Sequence, residues 1–231
     1  MPVGIQIVSD LQTVQIDTDT YNMEFRQKGI VTCNTTWSPI TRQGTFTVTG
    51  EMPMIALRSS ALAMLTAPTI NGNSYTFTVT VLAQTPTDVE FFHFDRPAPG
   101  GSSFGLQVIR EDGSIAFDAG RRPVRVLGQV QGDVINGHNF GTLTYPGKQV
   151  AFLQCAFVYQ TFYAPVPPPP GQPAANVQQF VMGGLARASG DTFHGEFAQL
   201  GTGGPYAIGS VDLGSYFQRY YAFLVIDVGA L

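Results

Sequence analysis

The stretch "GIQIVSDLQTVQID" at positions 4–17 returns as "GLQVIREDGSIAFD" at positions 105–118, at a constant shift of 101 and without a gap. Gly4, Ile5, Gln6, Ile7, Val14, Ile16 and Asp17 fall opposite Gly105, Leu106, Gln107, Val108, Ile115, Phe117 and Asp118. Apolar residues alternate on either side of a turn in both copies, which is the period-2 signature of a β-hairpin. The second copy turns on Asp112-Gly113, a strong hairpin signal because glycine readily takes positive φ. The first copy has Leu11-Gln12 there, so a different loop is expected. Beyond the hairpin, Met23 and Phe25 fall opposite Val124 and Val126, still in alternation.

The repetition continues along the chain. "NGNSYTFTV" (71–79) resembles "SGDTFHGEF" (189–197), and "VEFFHFD" (89–95) resembles "YAFLVID" (221–227). The shift grows to 118 and then 132, because the second half carries a Pro-rich insertion near 164–179 and a Gly-rich one near 201–214. This reads as a tandem duplication. The expected fold class is all-β, with a first β-sandwich domain at 1–97, a Pro/Gly linker at 98–103 and a second β-sandwich domain at 104–231. Units of this size can each support a core. Long helical patterns are absent. "ALAML" (61–65) has the composition of one helical turn, which Pro68 would stop.

Composition bounds the function. Charged residues make up 12% of the 231, about half the roughly 25% of soluble domains. A freely diffusing monomer keeps its surface charged, so low charge suggests a surface covered by other subunits. A β protein with a Ser/Thr/Gln surface is the alternative. Net charge is −4, and Arg121, Arg122 and Arg125 are too few to mark a nucleic-acid site. No apolar run approaches the roughly 18 residues of a membrane span, and "MPVGIQIVSD" lacks signal-peptide features. Cys33 and Cys155 fit no metal spacing or disulfide framework and are expected to be buried free thiols.

Candidate chemistry is sparse. Gly101-Ser102-Ser103-Phe104-Gly105 matches G-x-S-x-G, but that nucleophile elbow needs a strand before it and a helix after it. Here a linker precedes and a strand follows. His93, His138 and His194 form no metal-ligand spacing. His194 and Glu196 share one strand face and are read as a surface pair. Asp17, Asp95, Asp118 and Asp227 recur at strand ends, where a carboxylate accepts hydrogen bonds from turn N–H groups. Glu90, Asp95 and Glu196 are available for glycoside hydrolysis, but nothing in the sequence brings two of them together. The expectation is a non-enzymatic chain with no catalytic residues, cofactor or metal.

Pro167, Pro168, Pro169 and Pro170 favour an extended polyproline segment that suits a contact arm. Aromatics cluster nearby in "YQTFY" (159–163) and "GSYFQRYYAF" (214–223), with Trp37 elsewhere; such rings anchor interfaces, stack on sugars or fill a core. The candidate partner contacts are therefore the four prolines with Tyr163, Tyr206 and Tyr216. "GLQVIREDGSIAFDAGRRPVRVLG" (105–128) and the closing strand "YAFLVIDV" (221–228) resemble small structural proteins encoded in the tail gene clusters of tailed bacteriophages. The resemblance implies a virion component at the tail tip or baseplate. Its partners would be other tail proteins and further copies of itself in a symmetric assembly, with no nucleic acid and no membrane span. The alternative is a receptor-binding module for host polysaccharide or pilus protein.

Overall fold

The computed structural model describes residues 6–8, 14–17, 21–134, 139–167, 170, 176–207 and 216–231. These residues form nineteen strands and no helix. The first half of the chain gives Gln6–Val8 (β1), Val14–Asp17 (β2), Glu24–Cys33 (β3), Thr35–Ser38 (β4), Thr41–Thr49 (β5), Met54–Leu65 (β6), Thr69–Asn71 (β7), Ser74–Leu82 (β8) and Thr87–Asp95 (β9). The second half gives Gln107–Ile109 (β10), Ile115–Asp118 (β11), Val126–Asp133 (β12), Asn139–Thr144 (β13), Val150–Ala156 (β14), Tyr159–Pro165 (β15), Asn176–Ser189 (β16), Thr192–Ala207 (β17), Tyr216–Gln218 (β18) and Tyr220–Asp227 (β19). All named pairings are antiparallel, so a two-residue turn suffices where strands follow directly, as at Gly72-Asn73 and Gly190-Asp191.

Two hairpins stand apart from the large sheets, and their registers coincide. β1 and β2 pair Gln6 with Asp17 and Ile7 with Ile16; β10 and β11 pair Gln107 with Asp118 and Val108 with Phe117. Both have an irregularity at the same place, between Ile7 and Val8 and between Val108 and Ile109.

One large sheet runs β3-β9-β6-β14-β19-β12. Its outer pairs also match. Phe25 pairs with Phe94 and Lys28 with Phe92, as Val126 pairs with Ile226 and Gln129 with Leu224. Each pair carries a bulge directly after Phe25 or Val126. The facing sheet runs β4-β5-β8-β6-β16-β17-β13, with β7 alongside β8. β6 belongs to both sheets. Met54–Arg58 pair with β9, and Ala63–Leu65 pair with β8. "ALAML" is therefore strand, not a helical turn. Ala63 and Met64 are buried against β8 and β16, and this packing overrides local helix propensity.

The two halves share a core. Val31, Val48, Leu57, Phe77 and Phe91 from the first half form one buried cluster with Phe140, Phe152, Ala186, Phe193 and Phe223 from the second. Strands of the two halves also hydrogen-bond directly, at Leu153↔Ala56 and Phe152↔Leu57 and at Ala186↔Ala63. A smaller cluster covers the other face of the first sheet, where Ala56, Phe92, Phe94, Ala151, Leu153 and Ile226 are capped by Met23, Val124 and Leu231. Across this face the segment before β3 meets the segment before β12: Val124 N donates to Met23 O (2.8 Å) and Phe25 N to Arg122 O (2.8 Å). Residues 98–103 are tied back into the fold, because Ala98 N donates to Glu24 (3.2 Å) and Ser102 is held by Asp118. Cys33 is buried as expected, and burial, then the nearby Asp88 charge, pushes its thiol up to about 11. Cys155 departs from expectation: it is exposed, at the register shift between Gln154 and Ala156 of β14.

Leu153→Ala removes a buried side chain where the halves meet. It should cost about 2–5 kcal/mol. Urea unfolding followed by Trp37 fluorescence, in the first half, and by far-ultraviolet circular dichroism should give one coincident transition at lower midpoint. Two separate transitions would contradict a shared core.

Candidate functional site

The described parts of the Pro-rich and Gly-rich segments, at 164–167, 176–179 and 201–207, belong to one structure. β15 pairs with β16 from Tyr159↔Gly183 to Pro165↔Val177, and β18 pairs with the other edge of β15 from Tyr159↔Gln218 to Thr161↔Tyr216. On the far side, β16 continues against β17 as far as Asn176↔Ala207. The result is a four-stranded arm, β17-β16-β15-β18, extending past the point where β6 leaves β16. Its base rests on a small cluster of Met64, Val181, Leu185 and Leu200. The buried Ser38 also braces it, donating to Leu200 O (2.7 Å).

The arm gathers aromatic rings. Phe162 and Phe180 are cross-strand partners and stack at 5.1 Å between centroids. Tyr163 and Tyr206 meet edge to face at 6.3 Å, and Gln179 Nε2 donates to Tyr163 Oη (3.2 Å). Of the predicted contact residues, the structure thus brings Tyr163 and Tyr206 together across β16. Tyr216 lies on β18 opposite Thr161. Pro167 and Pro170 are exposed at the end of the arm, while Pro168 and Pro169 lie outside the described residues. A second apolar surface is the loop and hairpin around β10, where Phe104 is 89% exposed and Leu106 and Ile109 are exposed as well.

The repeated aspartates hold turns, as their positions suggested. Asp95 accepts from Glu51 N, Met52 N and Arg96 N, each at 2.8 Å. Asp118 accepts from Ser102 N (2.5 Å), Ser102 Oγ (2.5 Å) and Gly120 N (2.8 Å). Burial opposes ionisation of Asp118, but these hydrogen bonds and Arg121 prevail and hold the carboxyl below its usual value. Asp227 accepts from Gly229 N and pairs with Lys148 (3.1 Å). The Asp17 side chain lies outside the described set. His194 Nε2 sits 3.3 Å from Glu196 and its Nδ1 2.9 Å from Thr142 Oγ1, so the predicted pair forms on the β13–β17 face. His138 lies outside the described residues. Glu90 is engaged by Arg58 (2.9 Å), so Glu90, Asp95 and Glu196 each serve a different cluster. Ser103 leads into strand β10, not into a helix.

A feature that the sequence reading missed lies at one end of the sheet pair. A cavity of about 600 Å³ is bounded by Arg26 and Gln27 of β3, Thr47 and Thr49 of β5, Gly50, Glu51, and His93 and Asp95 of β9. His93 is 1% exposed, and neither ring nitrogen has a hydrogen-bond partner among the described residues. Its Nε2 stands 3.9 Å from Asp95 Oδ2, beyond hydrogen-bond reach. The guanidinium groups at the rim are already engaged. Arg26 contacts Glu24 (2.5 Å) and Arg96 O (2.6 Å), and Arg96 pairs with Glu51. Burial lowers the His93 pKa below its ordinary value; Asp95 opposes this and Arg26 adds to it.

No family model, curated protein or solved structure matches this chain in comparisons with known proteins. Among the described residues, no helix is long and apolar enough to cross a membrane.

A histidine whose folded pKa is lowered stabilises the fold fully above its unfolded value, near 6.5, and loses that contribution as pH falls toward the folded value. Urea midpoints should therefore fall as pH drops below about 6.5. His93→Val should flatten that slope and hold stability at pH 7 to within about 1 kcal/mol, since it removes an unpartnered polar group. An unchanged slope in the variant would assign the effect elsewhere.

Proposed function

We propose that this protein is a structural component of a bacteriophage tail, made of two copies of one β unit and acting through assembly with other subunits. The reading of a duplication is supported by registers that coincide under constant shifts. The hairpins match at 101. The β3–β9 and β12–β19 pairs match at 101 and 132. The β5–β8 and β13–β17 pairs match as well, Val48↔Tyr75 against Leu143↔Phe193. Under this reading Ala56 and Leu153 are equivalent positions that pair with each other, so the two units meet about an approximate two-fold axis. Each unit is one half of a pair of facing sheets, and neither is a free-standing sandwich.

The arm carries the assembly reading. Among the described residues its outer strands β15 and β18 have no counterpart in the first unit, and it displays half-buried Phe162, Tyr163, Phe180 and Tyr206 in cross-strand pairs. Rigid aromatic anchors of this type dominate protein interfaces. The low content of charge and the exposed Phe104, Leu106 and Ile109 agree with a surface that neighbouring subunits cover. The resemblance of the hairpin to proteins of phage tail gene clusters supplies the setting.

Light scattering on the purified chain should give the mass of a closed oligomer. Phe162→Ser should weaken association by roughly 30-fold, corresponding to about 2 kcal/mol for one aromatic anchor. Replacing residues 167–175 by an Asn-Gly turn keeps the Pro165↔Val177 pair closed and should weaken it as well. A monomer unaffected by either change would defeat this reading and move the receptor-binding alternative ahead.

A further inference from the structure

The cavity beside His93 has a counterpart in the second unit that is filled. Gly50 N donates to Asn73 O (3.0 Å), and at the equivalent place Tyr145 N donates to Asp191 O (2.9 Å). The His93 position, opposite Gln27, corresponds to Val225, opposite Gly128. In the second unit the Tyr145 ring packs on the core, and its hydroxyl lies so close to Gly128 that any side chain there would collide with it. An apolar residue and an aromatic ring thus close that end. In the first unit the same place holds Gly50, His93 and open volume. Gly50 lies against Asp95 and His93, and a Cβ on it would collide with the Asp95 carboxylate.

A buried, unpartnered imidazole costs stability. The second unit has avoided that cost with Val225 and Tyr145; the first has kept it. We propose that the cavity is a binding site for a neutral, multiply hydroxylated ligand, namely a saccharide residue. The volume lies within the range of small-molecule sites, about 300–1,000 Å³. The lining carries two guanidinium groups, Arg26 and Arg96, and two carboxylates, Glu51 and Asp95, so its formal charges cancel and no net charge selects an ion. A neutral imidazole offers one donor and one acceptor, and a hydroxyl offers the same pair in return. The 3.9 Å between His93 Nε2 and Asp95 Oδ2 is too long for a direct hydrogen bond, yet one oxygen can stand at about 2.8 Å from both. Thr47 and Thr49 also line the wall.

The test uses the full chain and three probes at millimolar concentration: glucose, galactose and N-acetylglucosamine. Saturation-transfer NMR reads the ligand, and the imidazole nitrogen shifts of His93 read the site. At least one sugar should saturate and move the His93 signals. Thr49→Trp, which fills the cavity from an exposed rim position, should weaken binding at least tenfold, as should His93→Val. Tyr145→Phe, in the filled counterpart, should leave it unchanged. Saturation by none of the three sugars overturns the proposal. So does binding that survives Thr49→Trp, or a response to acetate or ethylammonium in place of sugar. Oligomeric mass is read separately, so failure here leaves the assembly reading standing, and the reverse also holds.

Discussion

The fold depends on one strand changing sheets. β6 starts between β9 and β14 in one layer and ends between β8 and β16 in the other. A strand that does this fixes the relative position of both layers, because its ladder hydrogen bonds cannot be made in either layer alone. Ala56, Leu57, Ala63 and Met64, all buried, set the spacing at the crossing. Small alanines at Ala56 and Ala63 let β14 and β16 approach where the halves join. Larger side chains there would force the halves apart and break the pairings of β14 and β16 with β6.

Around that crossing the two halves keep the same local plan and differ in how they finish it. The first half closes its sheet with short strands, β4 and β7, and leaves a polar cavity beside His93. The second half seals that end with Tyr145 and puts its extra residues into the arm. The shared parts serve packing, as the matched aspartates show: Asp95 and Asp227 both hold the turn that follows their strand. The divergent parts are Gly50 with His93 on one side and Phe162 with Tyr163 on the other. Chemistry and recognition are therefore sought where the halves disagree.

Much of this was legible in the residues, and the failures have physical causes. Alternation around Asp112-Gly113 gave the β10–β11 hairpin, and the Asp at each strand end gave its turn contacts. The Pro-rich and Gly-rich segments are plain in the residues, but not their pairing into one arm, since the partners that join β15 to β16 and β18 lie 12 to 59 residues apart and leave no local signal. "ALAML" misled because its propensity is helical and only its burial against β8 and β16 makes it strand. Two cores were expected because each unit is long enough to build one, yet length alone says nothing about whether two units bury surface against each other. The His93 cavity had a signal that went unused. In "VEFFHFD" against "YAFLVID" a histidine stands where the similar strand has valine, a polar residue at an apolar place.

β16 has one more consequence. Its fourteen residues span roughly 45 Å at about 3.3 Å each, running from the arm tip, beside Tyr206, to the junction with β6 at Ala186 and Ala188. A load applied at the tip is carried along this one strand to the centre of the molecule. It arrives parallel to the ladder, so the hydrogen bonds to β17 resist it together in shear instead of opening one after another. The arm is thereby built as a lever whose fulcrum is the strand on which the whole fold turns.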